Sequence, residues 1–219
     1  MREPAGRTHV SLAFDPACRQ CDRLASYLDA SKAKFPAYHC APVAPFGDAQ
    51  GRLLIVGLAP GLHGANASGR PFTGDFAGIL LYRTLFDFGF SSAAESLHLD
   101  DGLQLLDCRL TNAVKCVPPE NKPLGAEVNN CNSFLRGELT AGQFRVVVAL
   151  GGIAHNAVLK ALGYVRSAHR FGHNRLHELP GGPLLLDSYH CSRYNTQTRR
   201  LTEPMFRAVF ERARTLLQT

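Results

Sequence analysis

The chemistry of this sequence is concentrated between Leu53 and Gly78, LLIVGLAPGLHGANASGRPFTGDFAG. Four apolar residues, Leu53 to Val56, lead into a loop crowded with Gly57, Pro60, Gly61, Gly64, Gly69, Pro71 and Gly74, and a helical pattern begins at Phe76. A buried strand feeding so long a glycine-rich loop, closed by an amphipathic helix, marks an active-site loop and not a plain connector. The loop lacks the Lys-Ser or Lys-Thr ending of a P-loop and the compact G-x-G-x-x-G spacing, which counts against a phosphate cradle. A second candidate is Cys18-Arg-Gln-Cys21 at the start of a short helical segment. Two thiolates at that spacing suit one metal ion but need two further ligands. A redox dithiol is the rival, although no strand pattern precedes Cys18. A third signal is charge. The chain carries +6 overall, and from Arg166 onward there are nine Arg, no Lys and four acidic residues. Arginine forks onto phosphate, so a nucleic-acid backbone is a suitable partner, with a solvated surface as the plain alternative.

Four strands and the helices between them must hold these groups. Leu53 to Val56 is the first strand, and Asp75 is placed to cap a helix from Phe76 to about Phe88 that Gly89 stops. The second strand candidate lies within Leu103 to Val114. It runs into a rigid loop with Cys116, Pro118, Pro119, Asn121 and Pro123, and a helix follows from about Ala126 to Leu139. Arg145 to Leu150 is the clearest strand, turned by Gly151-Gly152 into a helix that ends near Gly163. Pro183 to Ser188 feeds Tyr189-His190-Cys191-Ser192-Arg193, and a last helix starts near Thr202 with Met205, Phe206, Val209, Phe210, Ala213 and Leu217 as its apolar stripe. This alternation predicts one α/β domain over residues 1–219, a three-layer α/β/α sandwich around a central, mostly parallel four-stranded sheet. Three loops then meet at one sheet edge: Gly57 to Asp75, Asn112 to Pro123, and His190 to Asn195.

Taken together, GLAPGLHGANASGRPFTGD, KCVPPENKP and HCSRYNTQTRRLT resemble the B-type, or family 5, uracil-DNA glycosylases, over most of the chain from Cys18 to the final helix. The resemblance implies a monofunctional glycosylase that flips uracil out of DNA and hydrolyses its bond to deoxyribose, leaving an abasic site. Hypoxanthine and other deaminated bases are further expected substrates. Positions Leu58 and Ala59 carry no water-handling side chain, so the resemblance shifts that task to Asp75. His190 becomes the hydrogen-bond donor to the departing base. Phe72 is implied to stack on the base and Asn112 to read its edge, with Asn121, Gly57, Ala59 and Gly61 around it. Arg70, Ser192, Arg193 and Asn195 are implied to face DNA, Arg193 either entering the gap or binding phosphate. His63 is near the pocket without a defined role. Arg199 stands where the family pattern NTxTGRLT has glycine.

The resemblance also implies that Cys18, Cys21, Cys116 and Cys131 bind a four-iron, four-sulfur cluster of structural role. Zinc remains open because four thiolates hold either. Cys40, Cys108 and Cys191 are left as free thiols. Residues 1–14 contain no long apolar signal region and no stretch approaches a membrane span, so a cytoplasmic, monomeric protein with reduced cysteines is expected. The alternative to an enzyme is a non-catalytic module that binds damaged DNA on the same fold, stabilised by the metal.

Overall fold

The computed structural model describes residues 13–218. The stretch read for a signal region therefore lies, up to residue 12, outside the described residues. Two strands are continuous apolar runs buried throughout: β2 (Leu53–Gly57) and β4 (Val146–Leu150). Such runs belong in a parallel sheet covered on both faces. With β3 (Cys108–Asn112) and β6 (Leu184–Ser188) they form the parallel centre, aligned so that Leu53 pairs with Cys108 and Val146, and Val146 with Leu184. These are the four strands the sequence predicts. Two short antiparallel strands are added at the edges, β1 (Phe46–Gly47) and β5 (Leu176–Glu178), so the sheet has six strands in the order β1-β3-β2-β4-β6-β5.

Side chains alternate across each strand, and the two sets bury against different helices. Leu53, Ile55, Val146, Val148 and Leu186 pack with α3 (Phe76–Asp87) and α7 (Glu203–Gln218). Leu54, Val56, Val147, Ala149 and Leu185 pack with α4 (Gly125–Ala141) and α5 (Gly152–Leu162). The result is the expected three layers.

A third, smaller cluster joins Leu24 and Leu28 of α1 (Asp22–Lys34) to Val114, Val117 and Phe134. Arg23 of α1 forks onto Glu127 of α4 at 2.8 Å, and Glu127 also accepts the Leu124 N–H at 2.7 Å. This clamp fixes α1 to the body. Cys18 and Cys21 precede α1, and Cys21 is its N-cap residue.

The chain passes from β2 to β3 on one side and then crosses to β4 on the other. The loops after β2 and β4 therefore diverge, and a crevice opens between them at the carboxyl ends of the strands.

Candidate active site

That crevice is a cavity of about 540 Å³. Leu58, Ala59 and Gly61 line it after β2, Asn112 and Asn121 after β3, Gly151 to Ile153 after β4, and His190, Ser192, Arg193 and Tyr194 after β6. Phe72, Asp75 and Phe76 complete it from the long loop and the start of α3. The structure thus brings together most of the residues that the three motifs single out. It adds the loop after β4, which the sequence shows only as the turn Gly151-Gly152 following the clearest strand. The switch-point rule points to that loop as well, since its strand borders the crevice.

Asp75 occupies the N-cap position of α3, yet its side chain makes no capping bond there. The carboxylate turns back into its own loop and accepts the Ala65 N–H at 3.1 Å, at the start of α2 (Ala65–Ser68). Burial raises its pKa above the ordinary carboxylate value, opposed by the amides of Ala65 and Gly61. The local glycines follow from this packing. A Cβ at Gly61 or Gly64 would overlap the Asp75 carboxylate. The outcome is an acid group poised in a cavity, more readily protonated than a surface aspartate.

Phe72 is buried with φ of 62°, a conformation that bulky residues rarely hold. Its ring lies 6.3 Å from the His190 ring at an angle of 27°. Gly57 does not line the cavity. It sits behind, where a Cβ would meet the Phe72 ring and the Asn112 amide oxygen, so the absent side chain lets both approach. His190 is half-buried, with its ring Nδ1 out of contact with solvent. Burial lowers its pKa to about 4, so the ring is neutral at pH 7, and Nδ1 has no hydrogen-bond partner among the described residues. A buried, unpaired imidazole nitrogen is disfavoured by about 1–3 kcal/mol until something bonds to it.

The loop carrying His190 is braced from both sides. Asn195 donates from Nδ2 to the His190 carbonyl at 2.8 Å. That makes Asn195 a support for the loop that carries His190. Ser192 caps α6 (Arg193–Gln197), and the Arg193 guanidinium lies over the Phe76 ring, 5.2 Å from its centre. Tyr194, which sequence reading passed over, is 71% exposed at the rim. Arg199 has φ of 57°, the left-handed conformation that accounts for glycine at this place in the family pattern.

On the far side of β6, Asp187 is fully buried three residues before His190. Its oxygens lie 2.7 Å from His155 Nδ1 on α5 and 2.9 Å from His177 Nε2 on β5, and one of them accepts the Gly172 N–H at 3.1 Å. This buried network fastens α5, β5 and the segment around Gly172 to the strand that delivers His190. No periodicity announces it, because its members are 32 and 10 residues apart.

Two further expectations fail. Arg70 is not a DNA contact. It is buried, pairs with Asp101 at 2.8 Å, donates to Ser96 and the Leu99 carbonyl, and stacks over Phe46 at 4.4 Å. Burial alone would raise the Asp101 carboxyl, but Arg70 and the Leu103, Leu97 and His98 amides outweigh it and hold it below the carboxylate range. Arg70→Ala is therefore expected to cost about 3–5 kcal/mol of stability, seen as a lower denaturant midpoint, with the DNA affinity of the folded protein unchanged. His63, placed near the pocket from sequence, is exposed outside it and bonds to Tyr38 at 3.0 Å. The arginine-rich last quarter is also dispersed. Arg207 pairs with Asp87, Arg212 donates to the Asn174 carbonyl, Arg214 covers Phe90 and Arg200 covers Tyr189, and of the nine only Arg193 lines the cavity.

Away from the cavity, Cys18, Cys21, Cys116 and Cys131 converge in one recess with Leu24 and Phe134. Burial, then the thiols of Cys131, Cys18 and Cys21, pushes Cys116 up to about 12, a sign of four sulfurs crowded within reach of one another. The only side-chain hydrogen bond to them among the described residues is from Asn130 to Cys21 at 3.4 Å. Four soft donors in an apolar shell suit a thiolate-bound metal centre. Cys108 and Cys191 lie buried elsewhere, and Cys40 receives a hydrogen bond from Asn66 at 3.5 Å. No helix among the described residues is long and apolar enough to cross a membrane.

A family model described as "Uracil DNA glycosylase superfamily" matches residues 44–214. The chain is 47% identical over 206 residues to a type-5 uracil-DNA glycosylase of Thermus thermophilus, spanning 91% of this chain and 94% of that protein. It is 42% identical over 200 residues to the type-5 enzyme of Pyrobaculum aerophilum, spanning 90% and 87%. A type-4 uracil-DNA glycosylase of Archaeoglobus fulgidus is 32% identical over 139 residues, 63% of this chain and 56% of that protein.

Proposed function

The chain belongs to the uracil-DNA glycosylase superfamily, and from that premise we propose that its cavity takes an extruded uracil and releases it by hydrolysing the N-glycosidic bond. The observation that supports this most directly is a half-buried carboxylate and a half-buried neutral imidazole facing one cavity, Asp75 and His190. In the transition state the sugar becomes cationic and the leaving base anionic. Ionised Asp75 orients a water toward the sugar carbon and stabilises its positive charge. His190, neutral, donates a hydrogen bond to the base oxygen as negative charge develops there. Phe72 stacks on the base, Asn112 offers both donor and acceptor to its imide edge, and Asn121 closes the pocket from the loop after β3. Ala59 and Gly61 leave the wall after β2 free of bulk, which admits hypoxanthine beside uracil.

Unstacking a base costs a few kcal/mol, least where the pair is already mismatched. Tyr194 fills the vacated place in the stack. It is the aromatic that projects from the rim, whereas Arg193 is held against Phe76 and contacts phosphate from there, beside Ser192. Cys18, Cys21, Cys116 and Cys131 hold a four-iron, four-sulfur cluster, or zinc as the lesser alternative. When bound, the centre cross-links the segment before α1 to the loop after β3 and to α4, and takes no part in hydrolysis.

The test is single-turnover incubation with matched duplexes containing uracil or thymine, followed by alkali to reveal abasic sites. Strand breakage that needs both uracil and alkali is expected. Binding without release, on hypoxanthine duplexes too, would leave a damage-binding module. The same assay across pH should lose rate on the acid side. Asp75 must be ionised, and its pKa is raised, so the limb falls at a pH above the ordinary carboxylate value of 3.8. His190, lowered to about 4, adds to the same limb by becoming charged below it. A rate independent of pH down to 3.8 would remove Asp75 as the base.

A further inference from the structure

Beside the cavity mouth lies an aromatic and basic surface that the reaction does not use. Phe35 and Tyr38, just beyond the end of α1, stack at 4.8 Å and 14°. The exposed His63 ring stands edge-on to both, at 5.3 and 5.9 Å, and its Nδ1 lies 3.0 Å from the Tyr38 hydroxyl. Lys32 donates to the Tyr38 carbonyl at 2.5 Å, and the Lys34 ammonium lies 5.3 Å from the Phe35 ring centre. Both lysines are exposed, and each ammonium has donors to spare. No Asp or Glu occurs between Asp29 and Asp48.

These rings are not part of the core. Phe35 and Tyr38 are only half-buried, and the surface is held in shape by the Tyr38–His63 and Lys32–Tyr38 bonds. Along the chain it adjoins the cavity, His63 being two residues beyond Gly61 of the cavity wall. Aromatic faces interleaved with cations, in a segment that carries no acid from residue 30 to 47, match a nucleic-acid strand: the rings take bases or sugars and the ammonium groups take phosphates. We propose that Phe35, Tyr38 and His63, with Lys32 and Lys34, form a shelf that binds the lesion-bearing DNA strand on one flank of the extruded nucleotide. This rests on the glycosylase reading above and extends it from the cavity to the strand beyond.

The test measures affinity against salt for a uracil duplex of about 30 base pairs and for a single strand of about three nucleotides with uracil at its centre, whose one neighbour on each side leaves most of the shelf empty. Tyr38→Ala should bind the duplex about tenfold more weakly, as loss of a stacking platform implies, and the short strand as the unaltered protein does. Tyr38→Phe keeps the ring and should keep most of the affinity. Lys34→Ala should lower the slope of log affinity against log salt by about 1 on the duplex. Lys160→Ala, at the far end of α5, serves as the control and should leave both substrates unchanged. Unaltered duplex affinity and slope in Tyr38→Ala and Lys34→Ala would overturn the proposal, as would an equal loss on both substrates. Failure of the unaltered protein to release uracil from either substrate would sink the glycosylase reading instead, because the shelf is read from binding alone.

Discussion

Asp75→Asn is expected to slow uracil release about 10²- to 10⁴-fold under single-turnover conditions, a barrier increase of roughly 3–6 kcal/mol, while DNA affinity stays within about twofold. The asparagine is nearly the same size and can still accept the Ala65 N–H that the aspartate holds at 3.1 Å. What it cannot do is take a proton from water or oppose a cationic sugar. The fold supplies an independent check on this argument. Because burial raises the Asp75 pKa, the ionised form is the one the folded state disfavours. The folded protein binds that proton more tightly than the unfolded chain does, so Asp75 lowers stability at neutral pH and ceases to do so as pH falls through its folded pKa. The neutral amide removes the penalty at every pH, so Asp75→Asn should unfold at the same temperature or higher. Loss of rate with retained or increased stability identifies a group kept for chemistry. Equal single-turnover rates would take Asp75 out of the mechanism, and lost rate with lost stability would mean that the carboxylate chiefly holds the loop together.

The contrast between Asp75 and Arg70 shows how far sequence alone reaches. Both lie in the same glycine-rich loop and both were assigned to the site. Asp75 remains there because its neighbours Gly61 and Gly64 leave room for a carboxylate turned inward. Arg70 leaves it because Asp101, 31 residues later in a stretch with no periodic pattern, collects the guanidinium. A long side chain chooses its partner in space, and nothing in local spacing signals which. The same reason hides the Asp187 network and the turn of Asn195 toward His190. The parallel strands were legible because burial on both faces demands unbroken apolar runs. The edge strands β1 and β5, of two and three residues, are too short to carry any pattern. The loop after β4 was missed for a different reason. Gly151 and Gly152 bear no functional side chains, and their contribution to the cavity is backbone and open space.

Cys116→Ser is the substitution expected to damage the protein most broadly. Cys116 is buried immediately beyond Lys115, four residues from Asn112 in the cavity wall. The recess it shares with Cys18, Cys21 and Cys131 is where the segment before α1 meets α4, joined there also by Arg23–Glu127, the Asn130–Cys21 bond, the Phe14–Phe134 ring contact and the small apolar cluster. Serine oxygen is a hard donor and a poor replacement for thiolate toward iron or zinc, so the variant should lose bound metal. If the centre contributes about 5 kcal/mol of net stability, its loss lowers the unfolding midpoint by roughly 10–20 °C for a chain of this size. Elemental analysis and the visible absorption of an iron–sulfur centre report occupancy, thermal unfolding reports the consequence, and zinc in place of iron and sulfide would decide the identity of the metal. Cys40→Ser is the matched control: its thiol meets Asn66 and not the recess, so metal content and midpoint should both hold. A Cys116→Ser protein with full metal content and an unchanged midpoint would remove Cys116 from the ligand set. Metal loss with an unchanged midpoint would keep Cys116 as a ligand and refute the structural role assigned to the centre.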